Sequence, residues 1–90
     1  MKLKILKADY HRNGIAGLGF YAVIFKAWED GEARTMVASL FKEPGYCAVY
    51  DLEKLQKHDV EFGSNSWRGD DYESALKPLL KKFLKREELF

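Results

Sequence analysis

Lysine and apolar residues alternate at the start of the chain as Lys2, Leu3, Lys4, Ile5. That period of two predicts a strand over residues 2–10 with one wet face. Residues 11–19 are rich in turn formers: Asn13-Gly14 can take left-handed positions, and Gly17 and Gly19 relax the backbone beyond, so a loop is expected. Residues 20–28 read Phe20, Tyr21, Ala22, Val23, Ile24, Phe25, Lys26, Ala27, Trp28, where β-branched and aromatic side chains dominate and predict a second strand. Asp30-Gly31 fits a type I′ turn, which returns residues 33–41 antiparallel. Pro44-Gly45 fits a type II turn before a fourth strand at residues 46–50. Short turns at each joint predict a meander.

Asp51 can accept an orphan backbone N–H and so N-cap a short helix over Leu52–Lys57. Val60, Glu61 and Phe62 read as a brief fifth strand at the edge, and Gly63 through Gly69 as a loop. Asp70 with Glu73 has the spacing of a capping box. Beyond it Tyr72, Ala75, Leu76, Leu79, Leu80, Phe83 and Leu84 form one apolar stripe, which predicts an amphipathic helix packed on one face of the sheet. Lys81, Lys82, Lys85 and Arg86 complement its negative end. Pro78 deletes the bond to the Ser74 carbonyl, so either a kink or a helix start is expected there.

The strands carry apolar side chains on both surfaces. In the second, Phe20, Ala22, Ile24, Lys26 and Trp28 oppose Tyr21, Val23, Phe25 and Ala27, and neither set is polar. A sheet with one solvated face alternates apolar with polar, and this one does so little. One helix covers one face, and a large bare apolar patch is rare on a monomer. Periodicity does not decide which face the helix takes. The set Tyr21, Val23 and Phe25 is the expected dimer or ligand face, with a homodimer the commonest way to cover it. A sheet curled upon itself is the alternative.

Ninety residues suit one α+β domain spanning 1–90. Fifteen Lys and Arg against fourteen Asp and Glu give no basic excess, which counts against a chain that wraps phosphate backbones while leaving room for a local basic patch. The single cysteine, Cys47, allows no internal disulfide, and small secreted domains usually carry several. No apolar stretch has signal-peptide or membrane-spanning length. A cytoplasmic setting without membrane contact is therefore expected.

Catalytic ingredients are sparse. Cys47 lies among strand aromatics and reads as a packing residue, and His58 falls in a polar stretch. His11, beside Arg12 at the lip of the glycine-containing loop, is the one candidate acid/base for a small enzyme, the third reading in order of preference. No metal-ligand spacing occurs, and Gly14, Gly17 and Gly19 match no phosphate-binding pattern, so no metal or cofactor is expected. In the segment Asn65-Ser66-Trp67-Arg68, Trp67 and Arg68 are the residue types richest at binding hot spots, placed just ahead of a helix. The expected partner-binding residues are His11, Arg12, Asn13, Asn65, Trp67 and Arg68.

Sheet aromatics can stack bases, and Lys77, Lys81, Lys82, Lys85 and Arg86 could contact phosphates. With these residues, the plan of antiparallel sheet plus C-terminal helix is similar, in architecture alone, to small dimeric single-strand binders of the transcriptional-coactivator and Whirly type. Two functions are thus carried forward. The first is a non-enzymatic interaction module acting as a homodimer, with a protein partner at its loops; the second is a single-stranded nucleic-acid binder.

Overall fold

The computed structural model describes residues 2–15, 17–41, 46–53 and 69–85. Four strands, β1 (Lys2–Ile15), β2 (Leu18–Glu29), β3 (Glu32–Phe41) and β4 (Tyr46–Asp51), are followed by one helix, α1 (Gly69–Leu84). The strands pair antiparallel in sequence order, β1-β2-β3-β4. This is the expected α+β meander with a C-terminal helix. The expected edge strand at Val60–Phe62 lies outside the described residues, as does all of the short helix beyond Leu52 and Glu53.

The β2–β3 turn has the expected chemistry. Asp30 and Gly31 both take positive φ, 50° and 80°, as the two central positions of a type I′ turn require. The β1–β2 connection is shorter than expected. Most of the predicted loop at residues 11–19 is strand, and Gly17 turns with φ 74°. Phe20 is the last β2 residue paired with β3, so beyond it β1 and β2 run on as a two-stranded arm. The Asn13-Gly14 signal falls in a register irregularity between His11 and Ile15, where β1 uses more residues than β2. Local turn propensity yields there to pairing with a neighbour.

A second irregularity sets which residues share a face. Ile5 pairs with Phe25 but Lys7 pairs with Ile24, so Leu6 is the extra residue of a bulge. The bulge reverses the side-chain phase of β1. Lys2 and Lys4 before it share a face with Lys7, Asp9 and His11 after it. Leu3, Ile5, Ala8 and Tyr10 share the other.

That other face is the core. Val23, Phe25, Ala38 and Leu40 are fully buried with Leu76 and Leu80 of α1, and Ile5, Tyr21, Ala27, Met36, Cys47, Val49 and Tyr72 complete the cluster. Phe25 meets Tyr72 with ring centroids 5.6 Å apart and tilted by 55°, a favourable aromatic geometry. The Tyr72 hydroxyl donates to Glu29 Oε1 at 3.2 Å, fixing the start of the helix to the end of β2. Tyr72→Phe removes that bond and keeps the ring in the core. It is expected to lower stability by about 1 kcal/mol, read from the urea midpoint.

The helix runs unbroken through Pro78, which excludes a start at that residue. Pro78 and Ser74 are both exposed, so the carbonyl that loses its partner lies on the wet side, where water can satisfy it. Lys77 bridges Glu73 at 3.0 Å one turn away. Phe83, expected in the apolar stripe, is instead exposed. It keeps the phase of Tyr72, Leu76 and Leu80 but sits in the last turn of the helix.

Tyr10 shows how the arm is held. Its ring packs on Tyr21, centroids 4.8 Å apart, and lies across Gly19, where an added Cβ would collide with the Tyr10 hydroxyl and stand 3.0 Å from its Cζ. An aromatic ring covering a strand glycine protects backbone that would otherwise be bare. Gly19→Ala is expected to cost about 1 kcal/mol, because Tyr10 must swing off. Made on a Tyr10→Ala background the same change should cost close to nothing; additive losses by thermal unfolding would show that the two do not interact.

Candidate functional site: the sheet face opposite the helix

The helix decides which face is free. Tyr21, Val23 and Phe25, expected to form the dimer or ligand face, lie buried with α1 residues in the core. That expectation is corrected: the stripe of α1 meets this set, so among the described residues the face without a helix on it is the opposite one. It carries Phe20, Ala22, Ile24 and Trp28 of β2, all half-buried, with Val37, Ser39 and Tyr50 half-buried beside them. Phe41 and Ala48, also on this side, are buried.

Register orders this face into rows across the strands. At one end His11, Phe20, Phe41 and Tyr46 are neighbours in turn. Next come Asp9, Ala22, Ser39 and Ala48, then Lys7, Ile24, Val37 and Tyr50. The far end holds Lys4, Lys26 and Thr35, then Lys2, Trp28 and Ala33. The face thus grades from aromatic, through small and aliphatic, to cationic.

At the aromatic end, His11 stacks on Phe20 with centroids 5.0 Å apart and planes 19° from parallel. Phe20 in turn stacks on Phe41 at 5.2 Å and 27°. Near-parallel rings this close overlap face upon face, so Phe20 is contacted on both sides. The ladder locks three strands together at the root of the arm. At the cationic end, the Lys2 ammonium sits over the Trp28 ring, 5.0 Å from its centroid. Lys7 and Asp9 form an ion pair at 3.6 Å between well-exposed side chains, worth little in water. Among the described residues four lysines (Lys2, Lys4, Lys7 and Lys26) share this surface with one acid, Asp9, although the whole chain is only +1.

His11, Arg12 and Asn13 are exposed on the β1–β2 arm. Asn65, Trp67 and Arg68 lie outside the described residues. The imidazole of His11 stacks on the Phe20 ring. Among the described residues no three His, Cys, Asp or Glu side chains gather as a metal site would need, and no helix is long and apolar enough to cross a membrane. Cys47 is buried in the core. Asp51 works at the rim: its Oδ1 accepts the Glu53 backbone N–H at 2.9 Å, an N-cap bond, and its Oδ2 meets Arg34 at 3.3 Å.

The lysine end of the face was not anticipated. Its signal is nonetheless present in the chain, where polar residues in β1 change phase, from Lys2 and Lys4 to Lys7, Asp9 and His11. Only a bulge can keep such a series on one side. Comparison with known proteins adds no family: no family model, curated protein or solved structure matches this chain.

Proposed function

We propose that this chain is a non-enzymatic interaction module that pairs with a second copy through the sheet face opposite α1. One observation carries the reading. Phe20, Ala22, Ile24, Val37 and Tyr50 form adjoining apolar positions on the side away from the helix. Face-to-face packing of two such sheets interdigitates their side chains into a second core. The same two-fold arrangement carries both β1–β2 arms, with His11 at the root and Arg12 and Asn13 beyond it, outward to a protein partner. Sedimentation or light scattering is expected to give twice the chain mass at micromolar concentration. A monomer at the highest soluble concentration overturns the proposal.

The second reading, a single-stranded nucleic-acid binder, is favoured by the lysine surplus on the same face. The stacked rings count against it. Bases need free ring faces, whereas Phe20 is contacted by His11 and Phe41 and Trp28 lies under Lys2. Labelled oligonucleotides at two salt concentrations decide between the readings, since phosphate binding weakens steeply as salt rises.

A further inference from the structure

The cationic end of the open face contains an arrangement that folding alone does not favour. Lys4 lies directly opposite Lys26 across the β1–β2 pair, and Lys2 is two residues from Lys4 on the same side. Like charges directly opposite one another destabilise a sheet. Among the described residues the ion pairs on this face are confined to Lys7 with Asp9, which leaves Lys4 and Lys26 without an acid. Lysine on an edge strand is a common guard against edge-to-edge aggregation. That explains Lys2 and Lys4. It does not explain Lys26, which stands on the interior strand β2, where there is no edge to guard.

An occupant of opposite charge turns the repulsion into attraction. β1 is the terminal strand of the sheet, with no strand on its outer side among the described residues. One row of its backbone N–H and C=O groups therefore points away from β2, ready to pair with an extended chain. We propose that the outer edge of β1, from Lys2 to the bulge at Leu6, takes up an acidic polypeptide segment as an added strand, its carboxylates beside Lys2 and Lys4. Main-chain bonds supply the affinity and the lysines supply the choice. They repel a second copy of β1, which would bring lysines opposite lysines, and accept a strand bearing acids at every second position. Lys26, behind Lys4, adds positive potential and discourages Lys4 from turning inward. The bulge at Leu6 ends the pairing, because beyond it the edge changes phase. A polypeptide is favoured over a nucleic acid because a strand edge offers backbone pairing and the rings on this face are already in contact with neighbours.

This inference stands apart from the dimer, which uses the face and leaves the edge free. The test uses the full chain and a fluorescein-labelled peptide of alternating Glu and Val, followed by fluorescence anisotropy. Binding is expected, and Lys4→Glu and Lys26→Glu should each weaken it by roughly tenfold. N-methylation of the peptide along one edge should abolish it, since that removes the ladder donors. A peptide of alternating Lys and Val is expected not to bind. The proposal is overturned by equal binding of the two peptides, by variants that bind as the parent does, or by an N-methylated peptide that still binds. It is equally overturned if oligothymidylate binds while the Glu–Val peptide does not. Sedimentation of the same samples reports the dimer separately, so either reading can fail without the other.

Discussion

Phe25→Ala is expected to destabilise the protein by about 3–5 kcal/mol, seen as a large fall in urea midpoint with little change in slope. Phe25 is fully buried, pairs with Ile5 on one side and Met36 on the other, and meets Tyr72 of α1 from above. Truncation leaves a cavity beneath the helix that rigid strands cannot close. For a domain of this size total stability is roughly 5–10 kcal/mol, so the loss is a large share of it and α1 should detach first. Phe20→Ala is the control. Its ring is half-buried on the opposite face, and its loss should cost about 1 kcal/mol through the ladder with His11 and Phe41. Equal losses at the two positions would mean that the helix does not distinguish the faces as described.

Much of this fold was legible because local signals and tertiary pairing agree. Asp30-Gly31 dictates a type I′ turn, and the runs on either side of it are strongly β-forming, so β2 and β3 sit where the residues alone put them. The arm was misread because Asn13, Gly14, Gly17 and Gly19 each favour a turn in isolation. Pairing of His11 with Phe20, and Tyr10 covering Gly19, outweigh those preferences. Which face the helix takes was not legible, since Val23 with Phe25 and Ile24 with Val37 are equally apolar. The difference lies in charge: α1 takes the face free of Lys2, Lys4, Lys7, Asp9 and Lys26, which only the bulged register gathers on the other side. The cationic corner escaped notice for a related reason. Lys4 and Lys26 are distant in sequence, and only a register that includes the bulge at Leu6 sets them and Lys7 on one surface.

Ile24→Glu should convert the proposed dimer to monomer while leaving the protomer folded. Ile24 sits near the middle of the open face, paired with Lys7 on one side and Val37 on the other. In a lone protomer it is only half-buried, so a glutamate there can reach water, with Lys7 beside it. In a two-fold dimer the same carboxylate is enclosed twice over, and burying an unpaired charge is strongly unfavourable. A rise of about 100-fold or more in the dimer dissociation constant is expected, some 3 kcal/mol. Sedimentation measures it, and circular dichroism should show the parent's secondary structure. Val23→Glu differs by a single position and should behave in the opposite way. Val23 is fully buried beneath α1, so its replacement places a charge in the core and unfolds the protomer. Should Ile24→Glu sediment as the parent does, the sheet face opposite α1 is not where two copies meet. Should it unfold as Val23→Glu does, that face is already enclosed within a single chain.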